Sequence, residues 1–431
     1  MKTPYITRIL IIIMITLLTA SCASAPIVKM NTSTDEEVTE LTIWLLPGTG
    51  MESLIDKYDR EHPSIKINVE TAQYEDVHSN LQTAFAAGYG APDISLIERT
   101  FVEQFKNFPE HFHNLYDFGA KDVQHEYLDW KWKQAQNSEQ TFLLGLPTDI
   151  GPLMLAYRKD LFQQAGLPYE RNEVSRLLLT WDDYIKVGEV IQKTTGAKLF
   201  NNLKIFYRIM FSQLEQQYFD KSTGKLIIEQ NPQLRKAWEY TMKAAELELS
   251  ANIESYRPEW GSAMSQGSFA IMPAPAWMTG MIRSNAPDAS GKWDLAQLPP
   301  QQHGNWGGSF LTMPKEGKHP EQAFQLIRYL TAPEQQLQIF VNNGNFPSTP
   351  GIYEDTNISG KIDPYFSNAP VGLMFSEAAN KINPVYEGPY SQVVANAIDD
   401  VLQLVDGHHL DTELAWEVVI ERIHKSLIPY E

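Results

Sequence analysis

Trp44, Tyr74, Trp260, Trp277, Trp306, Phe346, Tyr386 and Tyr390 fall at the ends of segments, several beside Gly or Pro. An aromatic face packs against the C–H face of a pyranose ring while neighbouring polar groups reach the hydroxyls. Clefts for small ligands are commonly lined this way, with few but well-placed polar side chains. Any single ring could equally be core. Trp277 and Trp306 lie near Gly and Pro in loops, where binding residues concentrate.

Hardware for catalysis is missing from the sequence. It has no Gly-x-Ser-x-Gly elbow, no His-Glu-x-x-His helix, no Asp-x-Asp-x-Asp-Gly calcium loop and no Gly-x-x-x-x-Gly-Lys-Ser/Thr phosphate loop. His111 with His113, and His408 with His409, lack the helical spacing or cysteine support of a metal site and read as solvated or structural. Asp182-Asp183 and Asp399-Asp400 sit on amphipathic helices and are expected to face water. An enzyme is therefore unsupported rather than excluded, and the expectation is a chain with no cofactor, no metal and no catalysis of its own.

The chain must position its aromatic residues without disulfides, because Cys22 is the only cysteine. Lys2 and Arg8 precede an apolar run, Ile9 to Leu18, too short for the roughly 20 residues of a spanning helix. Thr19-Ala20-Ser21 then lead into Cys22, which resembles the lipobox of bacterial lipoproteins, with Thr19 where Leu is usual. The expectation is a signal peptide over 1–21, lipid on Cys22, and a flexible tether over 22–39. Losing Lys2 and Arg8 with the signal takes the net charge from −18 to −20, a surface that repels nucleic acid. With 431 residues and 43% hydrophobic content, two substantial cores are within reach.

After the tether, Leu41–Leu45 reads as a strand, a helical stretch carries Leu54, Ile55 and Tyr58, and Ile65, Ile67 and Val69 alternate as a half-buried strand. A second helix ends at Gly88, and 92–97 gives a third strand, so a mainly parallel sheet is expected. The alternation resumes with a strand at 154–157. Thr180-x-x-Asp183 forms a capping box, Asn231-Pro232 opens a helix, and Pro320 and Pro333 open two more. Helices from about Ser391 and Thr412 close the chain. Two α/β lobes is the economical reading.

In order and spacing, several stretches resemble the extracellular solute-binding proteins of carbohydrate ABC importers, the group that includes maltose-binding protein. They are Leu41-Thr42-Ile43-Trp44, Glu61-His62-Pro63, Ala86-Ala87-Gly88 with Pro92-Asp93-Ile94, Leu146-Pro147-Thr148-Asp149 and Tyr157-Arg158-Lys159-Asp160-Leu161-Phe162. Gln266 to Met272 with Trp277, Trp306-Gly307-Gly308-Ser309, His319 to Ala323 and Phe346-Pro347 continue the pattern. The resemblance implies a two-lobed, periplasmic-binding-protein-like α/β fold with ligand held between lobes joined by a multi-segment hinge. Lobe one would span 40–149 with 303–346, and lobe two 150–302 with 347–431. It implies capture of a mono- or oligosaccharide, an ABC permease as partner, and a monomer tethered outside the cell membrane through Cys22. Carried over, the site residues are Trp44, Glu98, Arg99, Asp149, Trp277, Trp306, Gly307, Gly308, Tyr386 and Tyr390, with Tyr74 and Trp260 added from the aromatic set. Trp277 would be the stacking platform, Asp149 and Glu98 hydroxyl acceptors, Arg99 a donor, and the glycines points of close backbone approach. A polyamine, phosphate-ester or peptide receptor, a glycan-cleaving lipoprotein and an adhesion protein stay open.

Overall fold

The computed structural model describes residues 38–298 and 304–430. Alternating strands and helices open the fold: β1 (Thr39–Leu45), α1 (Glu52–Glu61), β2 (Ile65–Thr71), α2 (Tyr74–Ala87), β3 (Ile94–Glu98) and α3 (Arg99–Lys106). The remaining elements needed here are α4 (Asp129–Ala135), β4 (Gly145–Pro147), β5 (Leu153–Arg158), β6 (Ile271–Pro275), β7 (Trp293–Ala296) and β8 (Ser309–Thr312).

Local signals place most of these elements. Gly88 ends α2 in the left-handed conformation, and Thr180 and Asp183 close a reciprocal capping box on helix Trp181–Thr195. The Asn231 side chain accepts from the Gln233 and Leu234 amides at the start of helix Pro232–Glu246. Prolines 320 and 333 open their helices at the first position.

Two sheets result. The first runs β2-β1-β3-β8-β4, with β1 parallel to β2 and β3 but β8 antiparallel to both its neighbours. The second, β6-β5-β7, is wholly antiparallel, which corrects the expected parallel alternation. β6 follows β5 only after a long helical excursion and returns on the opposite heading, and β7, joined to β6 through helix Ala276–Asn285, runs parallel to β6 on the other side of β5. β5 is buried at every position, and its alternate residues serve two cores. Leu153, Leu155 and Tyr157 join Phe206, Trp238 and Val401 on one side. Met154 and Ala156 join Trp260, Trp293, Phe346 and Phe375 on the other. A separate core of Ile43, Leu96, Phe310, Leu311 and Ile327 belongs to the first sheet.

Candidate functional site: a cleft between the two sheets' lobes

Three segments carry the chain between the sheets, and backbone bonds tie them together. The Ile150 amide donates to the Phe346 carbonyl at 2.8 Å and the Trp306 amide to the Gly151 carbonyl at 2.8 Å. The Gly151 amide in turn donates to Asn305 Oδ1 at 2.8 Å. A Cβ at Gly151 would sit 1.8 Å from the Trp306 carbonyl oxygen. Gly307 and Gly308 hold φ of +106° and +95°, the left-handed region that glycine tolerates, and a Cβ on Gly308 would meet the Asp149 carbonyl at 2.5 Å. The Gly308 carbonyl accepts from the fully buried Lys131 ammonium of α4 at 3.0 Å. Burial pulls that ammonium down to about 7, against the pull of Asp149.

Asp149 lies within this crossing. Its carboxylate accepts from the Thr148 hydroxyl at 2.7 Å, the Ser309 amide at 3.1 Å and the Asn345 amide at 3.5 Å. Trp277 donates through Nε1 to the Trp306 carbonyl at 2.9 Å and meets the Trp306 ring edge-to-face. Here Asp149, Trp277, Gly307 and Gly308 build the joint that presents Trp306.

Beside the joint lie two connected cavities. The outer cleft, about 930 Å³, is bounded by α3 and α4 on one side and by residues 212–221 and 382–387 on the other. Trp130, Phe142 and Tyr386 line it, and Trp130 Nε1 is buried without a partner. The inner chamber, about 60 Å³, is walled by Tyr207, Phe211, Tyr218 and Trp306 with Arg208 and Asp399. Arg99, Ser212, Gln217, Asn305 and Glu387 face both spaces and form the partition.

Charges in this wall are paired. Arg99, at the first position of α3, forms an ion pair with Glu387 across the cleft. Burial lowers the Arg99 guanidinium, and Glu98 works against that shift. Arg208 pairs with Asp399 at 3.0 Å and lies over the Trp306 ring at 4.9 Å. Asp399 therefore lines the chamber while 30% of its side chain stays exposed, and desolvation raises its pKa while Arg208 opposes the rise. The helix bearing Asp399 buries Val394, Ala397, Ile398, Val401 and Leu402, which puts residue 399 at the edge of the inward face.

Glu98 caps α3, accepting from the Thr100 amide and hydroxyl at 2.8 Å each. The Tyr74 hydroxyl lies 3.1 Å from Glu98 Oε2 and 3.3 Å from Gln392 Oε1 across the cleft. Behind them, buried His78 places Nδ1 2.6 Å from the Tyr74 carbonyl and accepts the Glu98 amide at Nε2. Burial pulls His78 down to about 4, so folding favours its neutral form. Stability from this group is complete above the unfolded pKa of 6.5 and is lost as pH falls from there towards 4. Between pH 7 and 5, urea unfolding is expected to show wild type losing about 2 kcal/mol more than His78→Gln, which keeps an acceptor but does not titrate. Equal losses would place the His78 proton elsewhere.

Other sequence candidates stand apart from both cavities. Trp260 is 1% exposed in the core beside β6, where Ala263 and Met264 share its inward helix face. Trp44 is half-buried in β1 against the first sheet's core, and Tyr390 packs on Tyr430. Sequence reading missed Arg208, Gln217, Asn305, Glu387 and Asp399. Only the position of Asp399 on its amphipathic helix gave a signal. Among the described residues, no group of three or more His, Cys, Asp or Glu is arranged to hold a metal ion.

A family profile of bacterial extracellular solute-binding proteins matches residues 53–364, which include every strand of the two sheets except β1. The chain belongs to this family. Among relatives of this solute-binding protein, the arabinooligosaccharide-binding protein of Bacillus subtilis (strain 168) is 26% identical over 419 residues, 90% of each chain. A solved extracellular solute-binding protein of family 1 is 33% identical, with a TM-score of 0.82 over 90% of this chain and 99% of that one. The ABC transporter associated binding protein of B. animalis subsp. lactis Bl-04, solved with β-1,6-galactobiose, shares the two-lobed fold. It has a TM-score of 0.77 at 20% identity, over 91% of this chain and 97% of that one.

Proposed function

We propose that this solute-binding protein is the receptor of an ABC importer, capturing a mono- or oligosaccharide between its lobes and delivering it to the permease. The observation carrying this reading is the partition of Arg99, Ser212, Gln217, Asn305 and Glu387, drawn from both lobes and the crossing, beside an aromatic chamber. Hydroxyls both donate and accept, so a sugar satisfies guanidinium, amide and carboxylate groups together. The oligosaccharide ligands of the Bacillus subtilis and B. animalis relatives support the same class. Of the expected site residues, Arg99, Trp306 and Tyr386 would touch ligand, and Tyr74, Glu98, Asp149, Trp277, Gly307 and Gly308 would position the groups that do.

Lobe one would comprise 40–149 with 303–346, and lobe two 150–302 with 347–431. The protein would act as a monomer without catalysis. The signal over 1–21, lipid on Cys22 and tether over 22–39 lie largely outside the described residues; once the signal is removed, the lipid and tether would hold the receptor on the outer face of the membrane, periplasmic where there are two. Among the described residues no helix is long and apolar enough to cross a membrane.

A thermal-shift screen of residues 38–431 against arabino-, galacto- and malto-oligosaccharides, polyamines and phosphate esters tests the proposal. One sugar class is expected to raise the melting point, since a hundredfold excess over Kd adds about 2.7 kcal/mol. A shift with polyamines or phosphate esters alone would overturn the carbohydrate reading.

A further inference from the structure

Lys131 of α4 is fully buried yet lines neither cavity. Its ammonium bonds two neutral oxygens, the Gly308 carbonyl at 3.0 Å and Gln134 Oε1 at 3.1 Å, and lies 3.9 Å from the centre of the Phe310 ring. Taking an ammonium out of water is costly without compensating partners. What this one holds is a single peptide unit. The carbonyl of the Gly308–Ser309 peptide accepts from Lys131, and the amide of the same peptide donates to Asp149 Oδ1 at 3.1 Å. A trans peptide carries the two groups on opposite edges, so a cation meets the negative end of its dipole and a carboxylate the positive end. Both bonds are charge-assisted. Gly307 and Gly308, at φ of +106° and +95°, give this stretch a backbone freedom that other residues lack, and the clamp removes it two residues from Trp306.

We propose that Lys131 is a positioning residue for ligand capture: with Asp149 it clamps the Gly308–Ser309 peptide and so holds Trp306 in the chamber wall. The inference rests on the sugar-receptor reading and adds to it a residue that touches no ligand. Asp149 and Glu98 favour the charged form of Lys131, and Arg99 opposes it. β4 and β8 bring no ionisable side chain, the 3-10 helix Ala120–Glu126 turns Ala120 and Val123 inward, and Glu103 and Lys106 of α3 pair with each other. Burial brings the ammonium down from 10.5 to about 7, so the clamp loses its charge as pH rises through 7. Stability runs the other way. Folding favours the neutral amine, so stability from this group is complete above 10.5 and is lost as pH falls towards 7. A merely structural lysine would move capture and stability together.

Isothermal titration with arabinotriose and β-1,6-galactobiose at pH 6 and 9, beside urea unfolding and hydrogen exchange of the Ser309 amide, tests this. Wild type is expected to bind its sugar about tenfold more weakly at pH 9 than at pH 6, while its urea midpoint rises relative to that of Lys131→Met. Lys131→Met keeps the apolar stem without the charge. It is expected to bind about tenfold more weakly than wild type at pH 6, to show one affinity at both pH values, and to exchange the Ser309 amide about tenfold faster at pH 6. Wild-type affinity unchanged between pH 6 and 9 would overturn the inference without recourse to the variant. So would a folded Lys131→Met with wild-type affinity and exchange. Failure of both sugars to bind would defeat the receptor reading beneath it, and the exchange rates would then decide the clamp.

Discussion

Gly151→Ala is expected to destabilise the folded body by about 3 kcal/mol and to weaken sugar capture roughly tenfold or more. The added Cβ would lie 1.8 Å from the Trp306 carbonyl oxygen, a backbone atom that cannot rotate away. Relief requires the two crossing segments to part. That stretches the bond from the Trp306 amide to the Gly151 carbonyl and the one from the Gly151 amide to Asn305. Overpacking of this kind costs about 1–3 kcal/mol, and a lost hydrogen bond about 1 more. Because Asn305 and Trp306 also wall the cavities, binding falls along with stability. Urea unfolding and titration with the best sugar measure the two effects. A variant with wild-type values for both would remove this joint from the account.

Trp306→Ala is expected to weaken sugar binding about 100-fold while leaving most of the fold's stability in place. Trp306 contributes the chamber's largest ring, and Arg208 rests over it. Truncation therefore removes the apolar wall and frees the guanidinium that pairs with Asp399. Aromatic anchors at the centre of a binding surface cost about 2 kcal/mol or more when cut to alanine. Trp277→Ala should weaken binding less, since Trp277 acts on Trp306 from behind through its indole N–H. Trp277→Ala exceeding Trp306→Ala in calorimetry would reverse these roles and restore Trp277 as the platform.

The fold was legible where chemistry is local. Gly88, Thr180 with Asp183, and the prolines at 232, 320 and 333 announce helix ends whatever packs around them. Strand direction was not legible, because β8 and β6 owe their antiparallel pairing to where distant excursions return. The site divided in the same way. Of the residues named from the resemblance, Arg99, Trp306 and Tyr386 line the cavities. Glu387 and Asp399 meet arginines 288 and 191 positions earlier in the chain, and no local pattern encodes such a pairing. Trp260 was misplaced for the opposite reason: it is a conspicuous ring near a proline, while Ala263 and Met264 one turn on already marked a buried face.

The most direct test is a crystal structure of residues 38–431 grown with the sugar that gives the largest thermal shift. The account predicts a ring at the partition, its hydroxyls bridging Arg99 to Glu387 and Arg208 to Asp399 beside Trp306. A sugar seated at Trp44 or Trp260, leaving both pairs untouched, would contradict it.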